Sequence, residues 1–354
     1  MIKAGLIGTG GMGNHHANAI AQTHGLELRA VCDIESEKVQ SFGAQHGISQ
    51  VFTDPEKFVQ EADMDAVIVA TPDRFHRPAA IAALQAGKHV FCEKPLATDA
   101  HEAQAMLDAA NAAGTVNLVN FTYRKSSALQ KAAEWVASGE LGRIYHVEAH
   151  YLQGWLLTNY WGDVRQNTRF QWRLSQAHGS GGVLGDIGVH ILDFATFPVG
   201  EIARLRCKLK NFAEKFPGNQ IGEYRLDAND TAVVTLEFKN DAIGSIRMTR
   251  CASGFKNALQ LTVCGELGAL QIDLDTSYDV IERCRVVDRD AQPWERLYCG
   301  EAPTMLERFV RAIETGEPEQ PDFQRGVEIQ KLLDAALYSD REAVEVDLRT
   351  FEGL

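Results

Sequence analysis

The 354-residue sequence lacks three features, each of which would have indicated a particular class of protein. No apolar run approaches the roughly 18 residues of a membrane span, and no Lys- and Arg-rich cluster offers the phosphate contacts of a nucleic-acid-binding protein. The seven cysteines are scattered and include no C-x-x-C pair, which favours reduced thiols over disulfides or a metal site. We therefore expect no metal, no membrane association and no nucleic-acid partner.

The amino terminus also lacks a secretory leader, because the apolar segment begins at Ile2 with no charged region before it, and we expect a cytoplasmic protein. Acidic residues outnumber basic ones by 48 to 35, which gives a net charge of −13. Residues 1–122 carry 14 acidic and 8 basic groups, residues 301–354 carry 13 and 6, and residues 123–300 carry 21 of each. The neutral middle region favours an uncharged substrate.

Short apolar runs alternate with helical stretches in the first third of the chain. Strands are predicted at Ile2–Ile7, Leu26–Val31, Asp65–Ala70, Lys88–Phe91 and Val116–Asn120, and helices at Asn14–Thr23, Ala79–Ala86 and Ala100–Ala113. This alternation predicts an α/β domain over residues 1–122, with a doubly wound parallel sheet of the Rossmann type.

From about Tyr123 the pattern changes to alternation of apolar and polar residues with a period of two. After a helix at Leu129–Ser138, strands are predicted at Arg143–His150, Ala203–Lys210, Thr231–Phe238, Ala242–Met248 and Leu259–Val263. Successive strands predict an α+β domain with a large, open, mainly antiparallel sheet. We place this domain at residues 123–354, with a helical tail over residues 303–340.

The first predicted strand is followed directly by a G-x-G-x-x-G motif, Gly8-Thr9-Gly10-Gly11-Met12-Gly13. The glycines permit a tight turn and a close approach of backbone to a pyrophosphate, and the helix that follows supplies amide donors. Asp33 lies 20 residues beyond Gly13, where a carboxylate accepts the ribose hydroxyls and repels a 2′-phosphate. Together with the following Ile34, Asp33 favours NAD over NADP, although Asp33 alone could simply cap the next helix.

Two loops follow the predicted strands that end at Ala70 and Phe91. Ligands bind beyond the carboxyl ends of parallel strands, so we expect cofactor contacts from Thr71, Pro72, Asp73, His76, Glu93 and Lys94. The Lys94 ammonium could stabilise the oxygen of a substrate hydroxyl during hydride transfer. The alternative is a solvated surface lysine.

A glycine-rich segment places Asp186 and His190 four residues apart, so on a helix their side chains can meet. A histidine with a carboxylate neighbour suits a general base for an alcohol. A core histidine beside a helix-capping aspartate is the alternative.

The chain resembles the glucose-fructose oxidoreductase / inositol 2-dehydrogenase / MocA family. The resemblance rests on Gly8–Gly13, Ala70-Thr71-Pro72, Ala86–Val90, Glu93-Lys94-Pro95, the Asp186…His190 segment and the tail pattern Phe309…Pro318. It implies a two-domain NAD(P)-dependent oxidoreductase that acts on sugars or polyols and forms a homodimer or homotetramer. Departures at Asp73 and Lys125-Ser126-Ser127 affect the expected loop contacts.

The resemblance also implies roles for individual residues. Lys94 would contact the nicotinamide ribose and a substrate hydroxyl, with a peptide to Pro95 that is often cis. Asp186 and His190 would bind substrate hydroxyls, with His190 as the acid/base, and Trp172 and Arg173 would lie near the nicotinamide.

Aromatic residues are concentrated between Tyr151 and Trp172, where three of the five tryptophans lie. Such rings suit the apolar faces of a pyranose, although a sheet face or subunit interface would have the same composition. The full set predicted to bind substrate is Lys94, Tyr123, Arg124, Gln153, Trp155, Arg173, Asp186 and His190.

Three functions follow from these patterns. The leading hypothesis is NAD-dependent, reversible oxidation of a secondary hydroxyl of a neutral sugar, glycoside or cyclitol to the ketone. A glycoside hydrolase that uses NAD transiently, and a non-catalytic NAD-sensing protein, are the alternatives.

Overall fold

A computed structural model describes residues 1–212 and 216–353, which divide into two compact units. The first unit comprises residues 1–122 and 303–331, and the second comprises residues 123–302 and 332–354. No helix in the described ranges is long and apolar enough to cross a membrane.

The first unit is built on six short strands whose successive crossovers contain helices. The strands are β1 (Ile2–Ile7), β2 (Leu26–Cys32), β3 (Gln50–Phe52), β4 (Ala66–Val69), β5 (His89–Cys92) and β6 (Asn117–Val119), and the helices are α1 (Gly11–Gln22), α2 (Ser36–His46), α3 (Pro55–Glu61), α4 (His76–Gln85) and α5 (Ala100–Ala113). All pairings are parallel, in the order β3-β2-β1-β4-β5-β6. The predicted doubly wound Rossmann sheet is confirmed. Strands β2 and β3 are added on one side of β1, and β4, β5 and β6 are added on the other.

The second unit contains a ten-stranded mixed sheet. The helices and strands of this unit, inside and outside that sheet, include α6 (Ser127–Ala137), β7 (Ile144–Leu152), α7 (Thr168–Gln171), α8 (Val189–Val199), β8 (Ile202–Lys210), β9 (Gln220–Ile221), β10 (Tyr224–Arg225), β11 (Thr231–Phe238), β12 (Ile243–Thr249), β13 (Ala258–Gly265), β14 (Gly268–Asp273), β15 (Val280–Val287), β16 (Asp290–Ala291) and β17 (Glu295–Tyr298). The order β16-β15-β14-β13-β7-β12-β11-β8 continues to β18 (Val346–Asp347), and β17 also pairs with β15. All pairings in this sheet are antiparallel except β7 with β12. The predicted mainly antiparallel sheet is confirmed.

The tail differs from the predicted arrangement, which placed residues 303–340 with the second domain. Helix α9 (Met305–Thr315) begins with a capping box between Thr304 and Glu307 and packs its apolar face into the core of the first unit. The Phe309 ring, for example, lies 5.5 Å from the ring of Phe91 on β5. Helix α10 (Phe323–Glu342) begins in the first unit and ends in the second.

Candidate functional site

The turn between β1 and α1 is shaped by backbone contacts that only glycine allows. Gly8 has a φ of +97°, and a Cβ there would lie 2.6 Å from the Ala70 carbonyl oxygen. A Cβ at Gly13 would lie 2.2 Å from the Gly8 carbonyl oxygen. By contrast, a Cβ at Gly10 would meet no protein atom within 4 Å, so the space in front of the α1 amino terminus is open. These three environments fit a loop that receives a pyrophosphate.

Asp33 follows β2 and faces this turn. Its Oδ2 accepts hydrogen bonds from the Thr9 amide and the Thr9 hydroxyl, both at 2.8 Å, and lies 3.6 Å from Lys38 Nζ. Burial opposes ionisation, but these donors outweigh it and hold the pKa of Asp33 below its ordinary value. Asp33 is thus a carboxylate at the position predicted for the adenosine ribose, and nearby Ile34 is 73% exposed.

Thr71 and His76 lie after β4, at the same edge of the sheet. The Thr71 hydroxyl is buried and has no hydrogen-bond partner among the described residues. Together with the open space at Gly10, an unsatisfied buried hydroxyl fits a dinucleotide bound along this edge. His76 contacts backbone instead, because its Nδ1 lies 2.8 Å from the Pro95 carbonyl oxygen and its Nε2 lies 2.9 Å from that of Thr71.

The loop after β5 carries Glu93 and Lys94, and the Lys94-Pro95 peptide is cis. Glu93 is buried, with one carboxylate oxygen 2.7 Å from both His16 Nε2 and Asn120 Nδ2. Burial raises the energy of its charged form, but His16, Asn120 and Lys94 outweigh this and lower the pKa of Glu93 to about 2. We expected Glu93 and His76 to contact the cofactor. Both also have protein partners, and their contact with the cofactor stays a prediction. Lys94 is half-buried at the carboxyl end of the strand.

The other residues predicted to contact the cofactor in this unit differ in exposure. Thr9 is buried, Asp73 is half-buried, and Gly11, Met12 and Pro72 are exposed. Their roles in cofactor binding stay predictions.

In the second unit, Asp186 lies on a π-helical turn, Leu184–Gly188, that runs directly into α8, where His190 lies in the first turn. We predicted that both would share one face of a helix with α-helical spacing. The structure instead inserts a wider turn at Asp186, which a π turn produces because each hydrogen bond spans five residues. Both side chains are half-buried. The ring centres of His190 and Tyr123 lie 5.0 Å apart in an edge-to-face arrangement.

Asp186 is held by two arginines. Its Oδ2 lies 3.2 Å from Arg250 Nη2 and 3.3 Å from Arg173 Nε. Arg250 is completely buried and also donates to the carbonyl oxygens of Arg173 and Gly182, at 2.7 and 2.8 Å. Burial lowers the pKa of Arg250, and the nearby Asp186 carboxylate opposes that shift. Asp186 therefore presents a fixed carboxylate whose side chain is 22% exposed.

A polar network runs along β7 beside His190. The hydroxyls of Tyr123 and Tyr151 are 2.5 Å apart, and the Asn257 amide oxygen accepts from Tyr151 at 2.9 Å and from Gln153 at 2.8 Å. Gln153 in turn accepts from the Trp155 indole at 3.0 Å. Burial raises the pKa of Tyr123 and, more strongly, that of Tyr151, so both phenols are neutral donors and acceptors.

Three residues predicted to bind substrate lie in the interior of the second unit. Arg124 is buried, donates from two nitrogens to Asp193 at 2.6 and 2.7 Å, and stacks on the Phe197 ring. Trp155 is 2% exposed within a satellite apolar cluster, and the amide of buried Gln153 is engaged on both sides. Their polar groups already have protein partners, and their contact with a substrate stays a prediction.

Trp172 and Arg173 remain accessible. The Trp172 side chain is 37% exposed, and the Arg173 guanidinium lies 4.8 Å from the centre of its ring. The expected contact of these two residues with a nicotinamide stays a prediction.

Sequence reasoning missed His16, Asn120, Arg250 and Asn257. Two of these left a readable signal. His16 occupies the buried face of α1 with Gly13 and Ile20, and Arg250 continues the inward series of Ile246 and Met248. A polar side chain at a position whose periodicity demands an apolar one indicates a buried partner.

Known proteins resemble this chain in both of its units. Residues 2–121 match the model of the oxidoreductase family with an NAD-binding Rossmann fold, and residues 129–271 match the GFO/IDH/MocA C-terminal domain. The chain is 27% identical to levoglucosan dehydrogenase of Pseudarthrobacter phenanthrenivorans over 98% of both chains. It is 33% identical to D-glucoside 3-dehydrogenase of Escherichia coli over 68% of each.

A solved structure of levoglucosan dehydrogenase with NADH and L-sorbose superposes with a TM-score of 0.86, at 26% identity over 98% of both chains. The predicted family and the NAD-binding domain are therefore confirmed. The chain belongs to the Gfo/Idh/MocA family of oxidoreductases.

Proposed function

We propose that the protein is an NAD-dependent dehydrogenase that reversibly oxidises a secondary hydroxyl of a neutral sugar, glycoside or cyclitol to the ketone. The observation that carries this proposal is the similarity, over 98% of both chains, to a levoglucosan dehydrogenase. The balance of 21 acidic and 21 basic groups over residues 123–300 supports an uncharged substrate.

We assign a separate chemical role to each of His190, Lys94 and Asp186. NAD⁺, when bound, supplies the hydride acceptor. His190 removes the hydroxyl proton as general base, and the Lys94 ammonium stabilises the negative charge that develops on the oxygen. Asp186 accepts a hydrogen bond from a neighbouring hydroxyl of the substrate. Arg250 and Arg173 fix the Asp186 carboxylate for this role.

The cofactor is held by groups of the first unit. The amides at the start of α1 receive the pyrophosphate in the open space at Gly10, and Asp33 accepts the ribose hydroxyls. From the second unit, Trp172 and Arg173 would contact the nicotinamide, as the family resemblance implies.

The activity is tested by incubating purified protein and NAD⁺ with glucosides, anhydro-sugars, inositols and aldoses, and following the absorbance of NADH. We expect NADH with at least one of these neutral compounds. No NADH from any of them would overturn the proposal, and phenol released from aryl glycosides without NADH would favour a hydrolase.

Replacement of Lys94 tests the catalytic assignment. Lys94→Met should lower kcat by about 10²-fold or more, because it removes the group that stabilises the developing charge. The Kd for NADH should change by less than about threefold, since Gly8–Gly13 and Asp33 provide most of the binding contacts. Lys57→Met, at an exposed lysine of the same unit, serves as the control and should behave as wild type. A Lys94→Met enzyme with wild-type kcat would contradict the assignment.

We also propose that the chain forms a homodimer or homotetramer through the open face of its ten-stranded sheet. Helices α6 and α8 pack against this sheet, and the outward side chains of β11 and β12 include Val233 and Ile243, which are 42% and 58% exposed. Light scattering after size-exclusion chromatography should give two or four chains at micromolar concentration. A monomer would overturn this proposal.

A further inference from the structure

We propose that His16 and Asn120 are positioning residues that act through Glu93 to fix the backbone of Lys94. This inference rests on the proposed role of Lys94 in stabilising the substrate oxygen. It adds two residues to the machinery, neither of which needs to touch cofactor or substrate.

The Glu93 carboxylate has a donor on each oxygen. One oxygen lies 2.7 Å from His16 Nε2 and accepts from Asn120 Nδ2 at 2.7 Å. The other accepts from the Lys94 amide at 3.2 Å. The side chains of His16 and Glu93 are only 3% and 7% exposed, so water cannot replace these donors. A buried carboxylate satisfied in this way has one favourable position.

The three groups around Glu93 come from different parts of the first unit. His16 lies on α1, one turn beyond Gly13, and Asn120 follows β6 directly. The Lys94 amide is therefore tied, through a single carboxylate, to the helix that begins at the glycine motif and to the neighbouring strand. On the far side of the loop, His76 contacts the Pro95 carbonyl oxygen at 2.8 Å. The backbone on both sides of the Lys94 side chain is held.

Fixing this backbone matters because the Lys94 ammonium lies at the end of a long, flexible side chain. The position of its Cα decides how often the ammonium occupies a productive place, and a displacement of about 1 Å at a reacting group can cost about 10²-fold in rate. Loss of a donor to Glu93 should therefore lower kcat. It should leave cofactor affinity almost unchanged. The reason is that this clamp, by which we mean the contacts of His16 and Asn120 with Glu93, adds no residue to those predicted to contact the cofactor.

A matched pair of substitutions at His16 tests this. Gln places an amide nitrogen where His16 has Nε2, whereas Leu fills similar volume and donates nothing. We expect His16→Leu to lower kcat by about tenfold or more with less than about a threefold change in the Kd for NADH, and His16→Gln to restore most of the rate. His15→Leu, at the exposed neighbour, should behave as wild type.

Hydrogen exchange of the Lys94 amide gives a readout that needs no turnover. We expect exchange to be at least about tenfold faster in His16→Leu than in wild type and close to wild type in His16→Gln. If His16→Leu does not fold, Asn120→Ala removes one donor, leaves the contact between His16 and Glu93, and should change kcat and Lys94 exchange in the same direction.

The outcomes separate the clamp from the proposed function. Equal kcat in the folded Leu and Gln variants, or a loss confined to NADH affinity, would overturn the clamp. A wild-type enzyme inactive on every sugar would overturn the proposed function, and Lys94 amide exchange would still decide whether His16 fixes this loop.

Discussion

Each unit of the protein contains a buried ionic cluster that holds a candidate functional residue, and these two clusters have opposite arrangements. In the first unit the buried ion is an anion, Glu93, and its donors fix a stretch of backbone. In the second unit the buried ion is a cation, Arg250, and it holds a carboxylate that remains 22% exposed. Burial is costly for either charge and is offset by hydrogen bonds and by an opposite charge nearby.

The difference shows two ways of preparing a reactive group. The anion cluster positions Lys94 indirectly, by way of its peptide amide. The cation cluster acts on Asp186 directly and fixes the functional carboxylate itself. Damage to either cluster should therefore lower stability, and damage to the first should also lower the rate by way of the Lys94 backbone.

The largest effect is expected from Arg250→Met. The substitution leaves two backbone carbonyl oxygens and the Asp186 carboxylate without their buried donor, so the free energy of unfolding should fall by about 3–5 kcal/mol. Urea denaturation of the variant and wild type measures this difference.

Two further variants make the Arg250 result specific. Lys239→Met removes an exposed ion pair with Glu201 in the same unit, and should cost less than about 1 kcal/mol. Arg250→Lys keeps the charge but cannot reach all three acceptors, so its stability should lie between that of Met and wild type. If Arg250→Met were as stable as Lys239→Met, the stabilising role assigned to the buried Arg250 would be wrong.

The regular elements were predictable because each follows one periodicity along the chain. Ile2–Ile7, Ala100–Ala113 and Thr231–Phe238 have the predicted bounds. Strand β3, only three residues long, is too short to show a pattern, and β14 and β15 were also missed. The π turn at Asp186 could not be read from spacing, because the same residues fit an α-helix.

The charged clusters were less predictable than the strands and helices. His16 and Glu93 are 77 residues apart, and Asp186 and Arg250 are 64 apart, so no local pattern joins them. Arg124 shows the same limit, because a lone arginine near a predicted site gave no indication of its pairing with Asp193. Sequence therefore identified chemically competent residues, while the structure distinguished those with protein partners from those that are accessible.

A second, pH-dependent effect should be confined to the anion cluster. The pKa of Glu93 is about 2 against an ordinary value of 4.5, so its ionised form contributes on the order of 3 kcal/mol to stability above pH 4.5. This contribution is lost as the pH falls from 4.5 towards 2, because Glu93 must then protonate. Glu93→Gln should therefore be less stable than wild type at pH 7, and the gap in urea midpoints should narrow by pH 3. A gap independent of pH would contradict the assignment of Glu93 as a buried anion.

The smallest effect concerns Asp33, a second anion of the first unit, whose side chain is 9% exposed. Its donors, Thr9 and Lys38, hold it as a carboxylate, yet its proposed partner is a ribose and not the protein. Asp33→Ser should lower stability, because the Thr9 amide and hydroxyl lose their acceptor, and it should also alter cofactor choice. Loss of charge-assisted hydrogen bonds to the ribose should lower kcat/KM for NAD⁺ about tenfold, corresponding to about 1.4 kcal/mol. Release of Lys38 from Asp33 should raise the use of NADP⁺, because its ammonium then faces a 2′-phosphate without competition. Glu35→Ser, which frees Lys38 from its other carboxylate but keeps Asp33, is the matched control and should retain the preference for NAD⁺. If both variants kept that preference, the selectivity would reside elsewhere than in Asp33, and Asp33 would serve only to fix Thr9.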